Sequence, residues 1–179
     1  MASSNLQTEQ YTAQNFTESC GAIAITKSTR QICLIGQQGR YGYDYLLPKG
    51  RRNVGEDRTF AAVREVQEET GYTCHLLDVK LETRAPPAGI DTFGPFDHEE
   101  KGEPFMMTVR RTGPGQVKVI WWYIGAIDES AAKARGEEVY EAVLVTFEEA
   151  LRMITYEDDR RVVREAERIF EHSYPKTRA

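Results

Sequence analysis

Apolar positions along this chain fall into two periods. Residues 20–26 (CGAIAIT) and 31–35 (QICLI) are short, apolar and β-prone, and the polar segment 27–30 between them makes the pair read as a hairpin. Residues 43–47 (YDYLL) give another strand, ended by Pro48 and Gly50. The spacing then turns helical over residues 57–70, stopped by Gly71 in a C-cap position. Residues 76–82 read as a strand, and 104–111 with 117–127 as a second hairpin around Thr112, Gly113, Pro114 and Gly115. A strand at 143–147 runs into a short helix at 148–153. The last helix spans 156–172, with Val162, Val163, Ala166, Ile169 and Phe170 as its apolar stripe. Residues 84–103, rich in Pro, Gly, Asp and Glu, carry neither period, and loops of about twenty residues in compact domains are often functional. The mixture predicts an α/β fold with a mixed sheet between helices.

A length of 179 residues suits one such domain. Residues 1–17, rich in Ser, Thr, Gln and Asn, read as a flexible tail, 18–172 as the domain and 173–179 as a C-terminal tail. The net charge of −5 argues against a general nucleic-acid binder, although basic clusters sit inside the acidic total. No stretch approaches the ~20 apolar residues that span a bilayer. The first 18 residues have neither a basic start nor an apolar run, so they do not read as a secretory signal. Cys20, Cys33 and Cys74 cannot all pair and form no CxxC motif, which points to reduced, mostly buried thiols in the cytosol or nucleus.

The predicted helix at 57–70 carries the chemistry. At about 100° per residue, Glu65, Glu68 and Glu69 fall within one arc, and Phe60, Val63 and Val66 within another nearly opposite. One face is therefore expected to enter the core while the other presents three carboxylates. Like charges at these spacings cost a helix a few tenths of a kcal/mol per pair, which a bound cation would relieve. Oxygen-only ligands favour a hard metal, and a phosphate substrate makes it Mg²⁺, with Mn²⁺ as the substitute. Taken alone, the same pattern also fits a solvated acidic face.

The surrounding residues choose between these readings. Gly50, Glu56, Arg64, Glu65, Val66, Glu68, Glu69 and Gly71 follow the spacing G-x5-E-x7-R-E-U-x-E-E-x-G-U, where U is apolar. This segment resembles the signature of the Nudix hydrolases, departing only at Tyr72, where an aliphatic residue is usual. The resemblance implies a Nudix α/β/α sandwich and a metal-dependent hydrolase that cuts a phosphoanhydride bond in a small polyphosphorylated substrate. It further implies that Glu65, Glu68 and Glu69 hold metal with help from the Gly50 carbonyl, and that Glu56 and Arg64 form a supporting pair. Glu69 or Glu65 would take the proton from the attacking water, with Glu99, Glu137 and Glu138 as outside candidates.

Lys49, Arg51 and Arg52 flank Gly50, Arg40 precedes the strand leading to it, and Arg84, Arg110, Arg111 and Lys118 lie around the long loop and second hairpin. Lys49, Arg51, Arg52, Arg40 and Arg84 are the expected substrate contacts, since many cations suit a substrate with many phosphates. The segments LLPKGRR, TRAPP and EPF look similar to a fungal type of Nudix protein related to diphosphoinositol polyphosphate and diadenosine polyphosphate phosphohydrolases. That likeness implies inositol pyrophosphates as substrates. The alternative is an asymmetric dinucleoside polyphosphate of the Ap4A or Ap6A type, whose base would need a clamp from Phe93, Phe96, Trp121, Trp122 or Tyr123. A Nudix fold that only binds a ligand or partner is a reading of another class, opposed here by the retained glutamates. Oligomeric state is open.

Overall fold

The computed structural model describes residues 5–90, 94–100 and 102–176, apart from the side chains of His98 and Glu100. In chain order the elements are β1 (Phe16–Ile25), β2 (Ile32–Gln38), β3 (Tyr43–Leu46), β4 (Lys49–Arg51), α1 (Arg58–Thr70), β5 (Cys74–Leu76), β6 (Val79–Thr83), β7 (Phe96–Glu100), β8 (Met106–Gly113), β9 (Gln116–Ile127), β10 (Glu141–Val145), α2 (Phe147–Met153) and α3 (Glu157–Ser173). The axis of the main sheet is a pairing no hairpin supplies: β1 and β9 run parallel, from Phe16 opposite Val117 to Ile25 opposite Ala126. Around them the order is β10-β2-β1-β9-β5, with β3 pairing β2, β4 pairing β1 and β8 pairing β9, all antiparallel.

Helices cover both faces, so the predicted mixed sheet between helices is what forms. Alternation along β1 explains which helix goes where. Ile23 and Ile25 point to one side, joining Leu34, Trp122 and Ile124 in a core closed by Phe147 and Ala150 of α2 and Val162, Val163, Ala166, Ile169 and Phe170 of α3. Cys20, Ala22 and Ala24 point to the other, where their small side chains admit Ala61, Ala62 and Val66 of α1. Both faces of β9 are covered, so Trp122 and Tyr123 are both buried. All three cysteines are buried and unpaired. Among the described residues, no helix is long and apolar enough to cross a membrane.

Four expectations change. The single strand at 76–82 is divided: β5 joins the main sheet, and β6 leaves it after Leu77 donates its N–H to the Ile124 carbonyl. The loop at 84–103 contains β7, which pairs β6 as a two-stranded ribbon. β1 begins at Phe16, inside the segment expected to be tail, because Asn15 and Phe16 already meet Val117 of β9. The fourth change concerns α1.

Its buried residues are Ala61, Ala62, Glu65, Val66, Glu69 and Thr70, while Phe60 is 65% exposed. Val66 enters the core and Val63 packs against it as expected, but Phe60 stays outside, and of the three carboxylates Glu65 and Glu69 turn inward while Glu68 remains exposed. Phe60→Ala should therefore change stability by less than about 0.5 kcal/mol, whereas Val66→Ala should cost about 1–3 kcal/mol. Urea melts of the two variants check this, and an equal loss in both would mean Phe60 has a packing role.

Candidate active site

The site forms around β4, a three-residue edge strand hydrogen-bonded to β1. Alternation puts Gly50 toward α1 and Lys49 and Arg51 toward the α3 face. A Cβ on Gly50 would lie 1.8 Å from Glu65 Oε2, so only glycine lets the carboxylate rest against the strand. A Cβ on Gly21 would meet Lys49 Cβ at 2.7 Å and Trp122 Cζ3 at 2.8 Å, which confirms that Lys49 stands on the opposite face.

On the α1 side, Arg64 is the hub. Its Nε donates to Glu56 Oε1 at 2.6 Å and its Nη2 to Glu56 Oε2 at 3.0 Å. Nη1 reaches Glu65 Oε1 at 2.7 Å and Glu68 Oε2 at 2.6 Å, and Nη2 also donates to the Arg51 carbonyl at 2.9 Å. One guanidinium therefore ties helix, β4 and the intervening loop together. Hydrogen bonding to Arg64 holds the Glu56 carboxyl below its ordinary range.

Glu69 Oε2 accepts the Lys49 backbone N–H at 2.7 Å. Burial pushes the Glu69 carboxyl up to about 7 against the opposing charge of Lys49, and burial likewise raises Glu65 despite its contact with Arg64. The helix ends at Gly71, whose φ of 77° requires glycine. Beyond it, Ala134 N–H donates to the Gly71 carbonyl and Glu137 N–H to the Glu68 carbonyl, both at 2.8 Å. These two bonds clip the loop before β10 onto the helix end and bring the charge of Glu137 to bear on Glu65 and Glu69.

Among the described residues, no three His, Cys, Asp or Glu side chains already converge as a metal cage. Glu65 and Glu68 reach back to Arg64, and Glu69 to the Lys49 N–H. The donors nevertheless fit a hard divalent cation. They are all oxygens, burial works against the charge of Glu65 and Glu69, and Gly50 lets the Glu65 carboxylate lie directly against the backbone of β4.

The α3 face of the same strand carries cations. Across the sheet, the register aligns Arg51, Ser19, Ile120 and Thr108 in one row, and Lys49, Gly21, Trp122 and Met106 in the next. On the other side of the first row stand Thr17, Lys118 and Arg110. Lys49, Arg51, Lys118 and Arg110 thus form a basic wall. Arg110 donates to Asp159 of α3 at 2.6 Å, while no ion pair engages Lys49, Arg51 or Lys118 among the described residues. Burial, and then the neighbouring Lys49 and Arg110 charges, lower the Lys118 ammonium from its ordinary value.

Of the expected substrate contacts, the structure gathers Lys49 and Arg51 at this wall. Arg52 turns to the α1 face, where its Nε meets Glu18 Oε2 at 2.7 Å and its Nη1 the Asn53 and Glu56 carbonyls. It fastens the backbone of the motif. Arg40 lies in the β2–β3 turn over the exposed Tyr41 ring, and Arg84 is exposed beyond the end of β6. Of the expected clamp residues, Phe93 lies outside the described residues and Phe96 belongs to the β6–β7 ribbon. Trp122 is fully buried, and Trp121 Nε1 donates to Glu18 Oε1 at 2.7 Å on the α1 face. There a cleft of about 580 Å³ opens between Glu18, Arg58, Glu103 and Trp121, on the opposite side of the sheet from the basic wall. Ser19, Glu18 and Asp159 are not among the expected site residues; strand register reveals the first two, and the contact of α3 with Arg110 reveals the third.

The sequence that builds this arrangement matches the NUDIX domain model over residues 16–166. The chain belongs to the Nudix family, and it is a Nudix phosphohydrolase acting on acid anhydrides of small phosphorylated substrates. Hydrolases of this family generally use divalent metal ions. Among solved structures, a NUDIX hydrolase from Nitrosomonas europaea is similar at 13% identity, TM-score 0.59, covering 85% of this chain and 88% of that one. An Ap4A hydrolase from C. elegans, solved as a binary complex, is similar at 14% identity, TM-score 0.59, over 85% and 96%. A MutT from Aliivibrio salmonicida and Vibrio cholerae work is similar at 14% identity, TM-score 0.54, over 86% and 99%. At these identities the likeness is one of fold. No curated protein matches the chain.

Proposed function

We propose that this enzyme hydrolyses a phosphoanhydride bond of diphosphoinositol polyphosphates with Mg²⁺, in the cytosol or nucleus. The observation that carries the reading is the basic wall of Lys49, Arg51, Lys118 and Arg110 across the β4 edge from the glutamates, with Asp159 the one carboxylate ion-paired to it among the described residues. A substrate crowded with phosphates can set its scissile diphosphate over the β4 edge and lay its other phosphates against the wall. Glu65, Glu68 and Glu69, with the Gly50 carbonyl, would hold the metal. Mg²⁺ bound there would stabilise charge on the phosphate oxygens and acidify water. Glu56 and Arg64 keep the helix in register with β4. Glu69 is the proposed proton acceptor, with Glu137 the second candidate because its backbone is fixed to Glu68. The three buried, unpaired thiols support a reducing compartment.

A second reading, an asymmetric dinucleoside polyphosphate hydrolase, is favoured by one feature. Tyr43 and Tyr45 lie on the α3 face with ring centroids 5.2 Å apart, and Tyr43 is 44% exposed, so a base has a ring to stack on. Against it, Trp122 is inaccessible and Trp121 and Tyr123 face the other way.

Turnover with Mg²⁺ of a diphosphoinositol polyphosphate and of a diadenosine polyphosphate separates the two, the nucleotide products being resolved by chromatography. The expected result is faster turnover of the inositol substrate, with Lys118→Met raising its KM about tenfold and leaving kcat within about threefold. Preference for the dinucleotide, with KM rising in Tyr43→Ala instead, would establish the second reading.

A further inference from the structure

Asp159 sits in the first turn of α3 and is 1% exposed. Its Oδ1 accepts from Arg110, but its Oδ2 is buried without a hydrogen-bond partner. Ser19 Oγ, in the row beside Arg51, is buried and unpartnered in the same way. Two orphaned buried polar atoms on one face of the sheet, next to four cations, call for an explanation, because such groups are ordinarily satisfied. A helix-capping role does not supply one. A capping carboxylate would spend its oxygens on backbone N–H groups, whereas Asp159 spends one on Arg110 and leaves the other without a donor.

Charge supplies an explanation. Burial works against ionisation of Asp159, and Arg110 and then Lys49 work for it. The wall and this carboxylate therefore interact as a unit. We infer that Asp159 is a positioning residue that fixes Arg110 and limits the positive charge of the wall, so that polyphosphate is held firmly enough to react and loosely enough to leave. The inference rests on the reading of the wall as a polyphosphate site. With Asp159 charged, the four cations leave a net charge of +3. Without that charge, each bound phosphate meets one more uncompensated cation. At a separation of about 8–10 Å and an effective dielectric constant of about 20, a unit charge is worth roughly a factor of ten or more in affinity.

Asp159→Asn is the suitable probe, because the amide oxygen can still accept from Arg110 and the NH₂ group replaces an oxygen that has no donor to lose. Calorimetric titration with inorganic tripolyphosphate, without metal and at low salt, should show about tenfold tighter binding by Asp159→Asn. Arg110→Gln should bind about tenfold more weakly, and the double variant should return to within about threefold of the parent protein. Steady-state kinetics of Asp159→Asn should show KM and kcat falling together, as expected when release slows. If Asp159→Asn folds poorly by circular dichroism, the double variant carries the test, since it removes both members of the buried pair. Binding by a folded Asp159→Asn that is no tighter than the parent overturns the inference, as does a double variant as weak as Arg110→Gln. An unmodified enzyme that hydrolyses its substrate but does not bind tripolyphosphate overturns the polyphosphate wall itself.

Discussion

Glu69→Gln should lower kcat by about 10³-fold or more while leaving the protein as stable as the parent. The side chain is 6% exposed and accepts the Lys49 N–H through Oε2. Glutamine has the same shape and keeps an oxygen for that bond, so the backbone link between α1 and β4 survives. What disappears is a buried charge, and its removal relieves the metal-free fold of an unfavourable burial. Both proposed tasks of Glu69, gripping the metal and accepting a proton, need that charge. Loss of a general base alone is worth about 10²–10⁴-fold, and weakened metal binding adds to it. A thermal melt without metal alongside Mg²⁺-dependent kinetics checks both halves. Full turnover with a normal melt would exclude Glu69 from the chemistry and bring Glu137 forward as the base. A collapsed melt would mean that the carboxylate is mainly a structural support.

The parts of this molecule legible in the sequence are those made by residues close together along the chain. The helix 57–70 and its stop at Gly71 follow from local spacing, and the role of Arg64 is implied by the resemblance of a short segment, since its partners Glu56, Glu65 and Glu68 all lie within eight positions of it. The rest depends on pairing. Lys118 and Arg110 meet in the expected hairpin, but Ser19 joins them only because β1 runs parallel to β9, a pairing of positions about a hundred residues apart. β7 (FDHEE) has no apolar alternation and is a strand only because β6 lies beside it.

Two departures from expectation have separate causes. Helical spacing groups Phe60 with Val63 and Val66 on the core face, yet Phe60 is exposed and the core side takes Glu65 and Glu69 instead. Charge ordinarily faces water, and these two carboxylates are held inside by Arg64 and by the Lys49 N–H. Lys49, Arg51 and Arg52 group together in the sequence because all three flank Gly50. On a strand, adjacency means opposite faces, but a three-residue strand of Lys, Gly and Arg carries no β signature to announce this.

Gly50→Ala tests whether that burial is what catalysis needs. The added Cβ would lie 1.8 Å from Glu65 Oε2 and 2.1 Å from Cδ, closer than any real contact. What it strikes is the end of a flexible side chain, so the cheapest relief is for Glu65 to swing away while β4 keeps its pairing with Cys20. The expected result is a stability within about 1 kcal/mol of the parent, a loss of about 10²–10³-fold in kcat, and an Mg²⁺ activation curve shifted to higher concentration. Gly21→Ala supplies the contrast from the other face. Its Cβ would strike the Pro48 carbonyl oxygen at 2.6 Å as well as Trp122 at 2.8 Å, and backbone cannot swing aside. That variant should lose stability by about 1–3 kcal/mol, before any question of chemistry arises. A Gly50→Ala enzyme with near-normal kcat and Mg²⁺ response would show that Glu65 works from some position other than against β4, and the proposed metal site would have to be rebuilt around Glu68 and Glu69 alone.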